Sequence, residues 1–135
     1  MKTRNRGAMN MYQTNRYDMA VDYSDPQQLV YLLFSSLVDS LVDTVRHITE
    51  REWRQKSGSI TRAQKILYGL KTTLDFENGG EIARNLDALY DYCLRRLSTA
   101  NACNDLQAVL EVKGLMLEIK EAWTLLPARA SSTSH

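Results

Sequence analysis

His47 and Glu50 stand three residues apart in the order HxxE, where an imidazole and a carboxylate share one helix face. A di-iron helical bundle needs two Glu-x-x-His motifs and further inward glutamates. The only other histidine is His135, at the end of the sequence, so His47 reads as a solvated side chain. Cys93 and Cys103 have nine residues between them, which matches no zinc spacing; they read as reduced thiols. No GxGxxG, GxxxxGK[ST], CxxC or HExxH occurs. Gly79-Gly80 reads as a turn, not a phosphate cradle. Asp87, Asp91, Arg95 and Arg96 form i, i+4 pairs, like-charged for Asp87–Asp91 and attractive for Asp91–Arg95, on solvated faces. These residues give no nucleophile with a base, no metal set and no cofactor cradle, so the expectation is a protein that is not an enzyme.

The elements behind these residues are helical. Apolar positions recur at three and four, and sustained period-2 alternation is missing. Asp25 is a good N-cap, Pro26 fits the first helical position, and Gln28 stands where a capping box takes Gln or Glu. The first helix then carries Leu29, Leu33, Leu37, Val38, Leu41, Val42, Val45 and Ile48 on one face and runs to about Arg51, where RQKSGS breaks it through Gly58. A second helix starts near Ser59 with the stripe Ile60, Ala63, Leu67, Leu70 and Leu74, and DFENGG ends it. A third projects Ile82, Leu86, Leu89, Cys93, Leu97 and Ala100 to one side. NACND interrupts it, with Asn104 or Asp105 capping a fourth helix from about Leu106 to Leu126, before Pro127.

Four helices with short connections predict an all-α antiparallel four-helix bundle over residues 25–127. Residues 1–24 hold Met9, Met11, Tyr12, Tyr17 and Tyr23 and are expected to pack loosely on the bundle as a flexible segment or lid. Residues 128–135 (ARASSTSH, with Pro127 before them) form a small polar tail expected to be disordered. The chain has 135 residues, one domain's length, and a net charge of +1 with basic and acidic residues interspersed, which argues against nucleic acid. It has no run of 18 apolar residues and no secretory h-region, so no membrane insertion is expected.

The apolar surface exceeds what such a bundle can hide. A bundle helix needs a stripe little over about 100° wide. In the fourth helix Val112, Leu115, Ile119, Trp123 and Leu126 widen the arc of Leu106, Val109, Leu110, Met116 and Leu117 past half the circumference. In the third, Tyr90 and Leu94 flank the core stripe on one side and Tyr92 on the other. Two readings fit such excess: a fat core whose remainder the N-terminal segment covers, or a groove that receives apolar residues of a partner; both hold if the N-terminal segment is a lid that the partner displaces.

The stretch LDFENGGEIARNLDALYDYCLRRLSTANACND resembles the signature of the FliS family, export chaperones of flagellin. The matching positions are Gly79, Gly80, Glu81, Ile82, Asn85, Leu86, Ala88, Leu89, Tyr90, Asp91, Tyr92, Arg95, Arg96, Leu97, Ala100, Asn101, Asn104 and Asp105. MYQ at Met11–Gln13 resembles the family's N-terminal tyrosine element, SDPQQLVYLLF its entry to the first helix, and EAWTLLP its closing tryptophan segment. The likeness spans about residues 11–127. It departs from the family at Asp25, where Ser is frequent, and at Cys93, where another apolar residue is usual.

The resemblance implies a cytosolic helical bundle that binds the C-terminal segment of flagellin, which is disordered before assembly. It implies suppression of premature polymerisation and delivery to the export gate at the cytoplasmic domain of FlhA. The second reading is a regulatory adaptor for another flagellar protein such as the anti-sigma factor FlgM. An exposed groove also invites a weak homodimer. Client residues are expected in grooves made by Leu33, Leu37, Tyr90, Leu94, Leu115, Ile119 and Trp123, with Tyr90 and Tyr92 supplying contact area and hydroxyls. Asn85 and Arg96 are expected at the margin, holding client backbone or carboxylates. Tyr12 and Gln13 join them through the family's N-terminal element, in which the tyrosine serves both bundle and docking.

Overall fold

The computed structural model describes residues 24–125. They form four helices and no strand: α1 Pro26–Thr49, α2 Trp53–Thr72, α3 Phe76–Cys103 and α4 Leu106–Leu125. The helices pack as a ring, α1 on α2 and α4, and α3 on α2 and α4. Each neighbouring pair is antiparallel, because contacts join the start of one helix to the end of the next: Lys56 to Asn104 for α2 and α3, and Gln27 to Trp123 for α1 and α4. The expectations for Tyr12, Gln13, the lid, Leu126, Pro127 and the tail lie outside the described residues.

Local chemistry sets the ends. Asp25 accepts from the backbone N–H of Gln27 at 3.0 Å with Pro26 at the first helical position. The Gln28 amide donates to the Asp25 carboxylate itself at 3.3 Å. Asp75 caps the start of α3 by accepting from the N–H groups of Glu77 and Asn78, both at 3.1 Å. Those bonds hold its carboxyl below the ordinary value, the Asn78 N–H contributing most. Asn104 closes α3 in the left-handed conformation, φ 53°. Asp105 then accepts from the N–H of Ala108 at 3.3 Å to open α4.

Two boundaries differ from the sequence reading. The second helix begins at Trp53, six residues before Ser59, and Gly58 is inside it. The chain turns instead at Arg51, φ 60°, where Glu52 N–H bonds to the carbonyl of His47 at 2.8 Å. His47 is consequently no free solvated group: its Nδ1 lies 2.7 Å from Glu52 Oε1 with the side chain 13 % exposed. That contact is the main reason the Glu52 carboxyl is held below its ordinary value. In α3 the turn that was expected to end the second helix is a kink inside the third, at Gly80 with φ 52° and ψ −125°. Only glycine occupies that region without strain.

The core is drawn from all four helices: Phe34, Leu37 and Leu41 of α1, Ile60, Ile66, Leu67 and Leu70 of α2, Tyr90 and Leu97 of α3, Val109 and Met116 of α4. Burying one such side chain contributes about 1.5–3 kcal/mol. The α3 face is rotated from the expected one. Ala83, Tyr90, Cys93, Leu94, Leu97 and Ala100 point inward, and Ile82 is 72 % exposed. Ile82 sits just past the kink at Gly80, near the start of α3, and stays exposed there. α1 is long and apolar enough to cross a membrane by length and composition, and its burial between α2 and α4 accounts for that hydropathy.

Candidate functional site

Polar side chains are sorted by seam. The α2–α3 seam is closed along its length. Lys56 Nζ donates to the Asn101 carbonyl at 2.8 Å and to Asn104 Oδ1 at 2.6 Å. Ser57 Oγ reaches Asn101 Oδ1 at 3.1 Å, and Gln64 Nε2 reaches Ser98 Oγ at 3.2 Å. Lys71 bridges Asp87 at 3.0 Å and Asp91 at 2.5 Å. Asp91 foremost, then Asp87, raises the Lys71 amine above its ordinary value. Asp91 thus pairs across helices with Lys71, where the sequence had suggested Arg95. The α1–α2 seam is tied by Thr44 Oγ1 and Ser59 Oγ at 2.6 Å, and more loosely by Arg62 and Asp43 at 3.9 Å.

The two seams of α4 are different. Toward α3, one polar clasp lies near the closed turn: Tyr92 OH donates to Glu111 Oε2 at 2.6 Å and Arg96 Nε to Glu111 Oε1 at 2.8 Å. The Tyr92 bond first and the Arg96 bond second pull the Glu111 carboxyl down, and the same contact raises the Tyr92 hydroxyl. Carried along the antiparallel pair, that register brings Leu89 level with Leu115, Leu86 with Ile119, and Ile82 with the last turn of α4. All are partly buried except Ile82, which is exposed.

Toward α1, the tie is at the opposite end. Trp123 Nε1 donates to the Gln27 carbonyl at 3.3 Å, its ring packs 6.3 Å from that of Phe34, and Lys120 lies 5.5 Å over the Tyr31 ring. From there inward the same register sets Val42 and Val45 beside Leu110 and Leu106. Val42 is 48 % and Leu117 is 43 % exposed. A helix held by hydrogen bonds at one end of each seam leaves two apolar strips along its flanks. Water gains nothing from these strips, and an apolar chain laid on them does.

The sequence-named residues divide by depth. Leu37 at 0 %, Tyr90 at 2 %, Leu33 and Leu94 are buried in the core, beneath the groove they were expected to line. Burial raises the Tyr90 hydroxyl to about 12 and the neighbouring Cys93 thiol to about 11. Leu115, Ile119, Tyr92 and Arg96 are half-buried and Asn85 is exposed, all within reach of the α3–α4 seam, whereas the half-buried Trp123 packs on α1. Arg96 and Tyr92 already hold a carboxylate, that of Glu111. The residues missed as surface were Val42 and Ile82, which had been assigned to core stripes. The signal for Leu110 and Leu117 was present in the over-wide arc of the fourth helix. Among the described residues, no group of three His, Cys, Asp or Glu is placed to hold a metal.

Comparison with known proteins bears on what such flanks receive. The family model described as "Flagellar protein FliS" matches residues 8–130. The flagellar secretion chaperone FliS of Salmonella typhimurium is 42 % identical over 115 residues, covering 84 % of this chain and 85 % of that protein. The flagellar secretion chaperone FliSB of Pseudomonas aeruginosa is 39 % identical over 117 residues, 86 % of this chain and 92 % of its own. The Bacillus subtilis flagellar secretion chaperone FliS is 29 % identical over 112 residues, 83 % and 80 % of the two chains.

Proposed function

This chain belongs to the FliS family, and from that premise we propose that it is a cytosolic export chaperone for the disordered C-terminal segment of flagellin. It masks that segment against premature polymerisation and hands it to the flagellar export gate at FlhA. The observation that carries the reading is the pair of apolar strips beside α4, with Ile82 at 72 % and Leu117 at 43 % exposed on a protein whose α2 seams are closed by hydrogen bonds. A chain that folds on binding lays its apolar residues into hydrophobic grooves of this kind.

The client lies along the flanks of α4, its apolar side chains against Leu89, Leu115 and Ile119 on one side and Val42, Leu110 and Leu117 on the other. Tyr92, Arg96 and Asn85 at the margin take client backbone or carboxylate groups. Ordering a long unfolded segment typically buries on the order of 1,000–3,000 Å² and costs roughly 2–5 kcal/mol. That cost leaves the complex tight enough to protect and loose enough to release at the gate.

The test is co-purification with flagellin, full-length and lacking its C-terminal segment. Retention of the first and loss of the second supports the reading. Equal retention of both places the client region elsewhere, and retention of neither sinks flagellin as the client.

A further inference from the structure

We infer that Tyr92 and Arg96 form a carboxylate site on α3 that the chain fills with its own Glu111, and that an acidic group of the client takes the place of Glu111 on binding. The inference rests on the client reading above and names the chemistry at one end of the α3–α4 strip. Tyr92 and Arg96 stand at i and i+4, so both project from one flank of α3. Tyr92 OH donates to Glu111 Oε2 at 2.6 Å, and Arg96 Nε donates to Glu111 Oε1 at 2.8 Å. Each carboxylate oxygen has its own donor, and both donors come from the same helix. What this pair binds is shown by what it holds. The occupant is an ionised carboxylate, whose proton affinity the Tyr92 bond first and the Arg96 bond second pull down.

Glu111 is held lightly. The Arg96 and Glu111 side chains are 30 % and 39 % exposed, and solvent screens an ion pair in that setting. Two ties of the α2 seams lie deeper, that of Lys56 and that of Thr44 with Ser59. The place of the clasp matters as much as its strength. It closes one end of the α3–α4 strip, with Leu89 about one turn of α3 from Tyr92 and Ile82 about three turns away. A client whose apolar residues lie against Leu89, Leu115 and Ile119 brings its next polar group to Tyr92 and Arg96. The Tyr92 hydroxyl has one proton to give, so a client carboxylate receives it only when Glu111 lets go. The chain thereby keeps the site filled and oriented until an acidic group arrives.

The full-length chain and its variants are titrated with a flagellin C-terminal segment. Glu111→Gln removes the competing charge and keeps the size of the side chain. It is expected to lower the melting temperature slightly, because the clasp is weakened, yet to tighten binding about two- to fivefold, the factor that a solvent-open ion pair represents. Arg96→Gln added to Glu111→Gln is expected to abolish that gain. A segment with its Asp and Glu changed to Asn and Gln and its C-terminus amidated is expected to bind the parent and Glu111→Gln equally. Glu118→Gln, at an exposed position about two turns along α4, is expected to leave affinity at the parent's value. Binding by the parent that Glu111→Gln leaves unchanged or weakens overturns the inference and leaves the client reading intact, because Glu111 is then a structural tie. A gain that Glu118→Gln matches, or that persists with Arg96→Gln or with the neutralised segment, overturns it as well. No binding by the parent removes both readings together.

Discussion

Lys56 shows how one side chain can tie a family signature to the fold. Its side chain is buried, and its ammonium is held by the Asn101 carbonyl and the Asn104 side chain, beside the Trp53 ring at 5.8 Å. Asn101 and Asn104 belong to the Ala-Asn-x-x-Asn-Asp pattern, which therefore acts here as the C-terminal cap of α3 and the anchor of α2. Replacing Lys56 with Met keeps the aliphatic stem and strands both acceptors. Urea unfolding should report a loss of roughly 1–3 kcal/mol. Cys93 and Tyr90 give a second measurable consequence. An unfolded cysteine ionises near 9.0 and an unfolded tyrosine near 10.0, whereas burial holds these two near 11 and 12. The folded state binds their protons more tightly, so stability is full below pH 9 and falls as pH rises from about 9 to 12. The fall should be on the order of 2–3 kcal/mol for each group, and Cys93→Ala should flatten its lower part. A thiol reagent at neutral pH should label exposed Cys103 and spare buried Cys93 until unfolding.

At the scale of the helix, two glycines respond oppositely to one chemical change. Gly58 lies in the interior of α2, exposed, and a Cβ there meets nothing within 4 Å. Gly58→Ala should stabilise by about 0.5–1 kcal/mol. Gly80 has φ 52° and ψ −125°, so Gly80→Ala should destabilise by about 1–3 kcal/mol although space is also open there. Equilibrium unfolding of both variants checks the signs; a shared sign would mean the kink is not where it stands. The same pair explains what was legible in the residues. Helix number and the caps at Asp25 and Asp105 could be read because each is local; a positive φ at Gly80 could be read too, but not that it kinks the third helix rather than ending the second. The start of α2 could not. Gly58 and its serine neighbours signal a break, but Thr44 meets Ser59 and Lys56 reaches Asn104 across helices, and those tertiary bonds override local propensity. The true turn at Arg51 lies in a charged stretch without a glycine to mark it.

At the scale of the whole molecule, the excess of apolar surface was legible and its position was not. A phase difference of about an eighth of a turn separates core from groove on α3, and only the partner helices decide it. Tyr90 and Leu94 went inside because α2 and α4 close over that face of α3, whereas Ile82 stays exposed. The distinction dictates which variants test the client reading. An aspartate at buried Leu94 would unfold the bundle and say nothing about binding. Ile82→Asp and Leu117→Asp, at 72 % and 43 % exposure, should leave the melting temperature within a few degrees of the parent. A client that binds only the folded chaperone stabilises it by about 2.7 kcal/mol at a hundredfold excess over Kd. For a bundle of this size that corresponds to a rise on the order of 10 °C. The parent should show that rise with a flagellin C-terminal segment, and each aspartate variant should lose most of it at the same concentration. Two variants on opposite flanks of α4 that both retain the full rise would put the client on another face of the bundle.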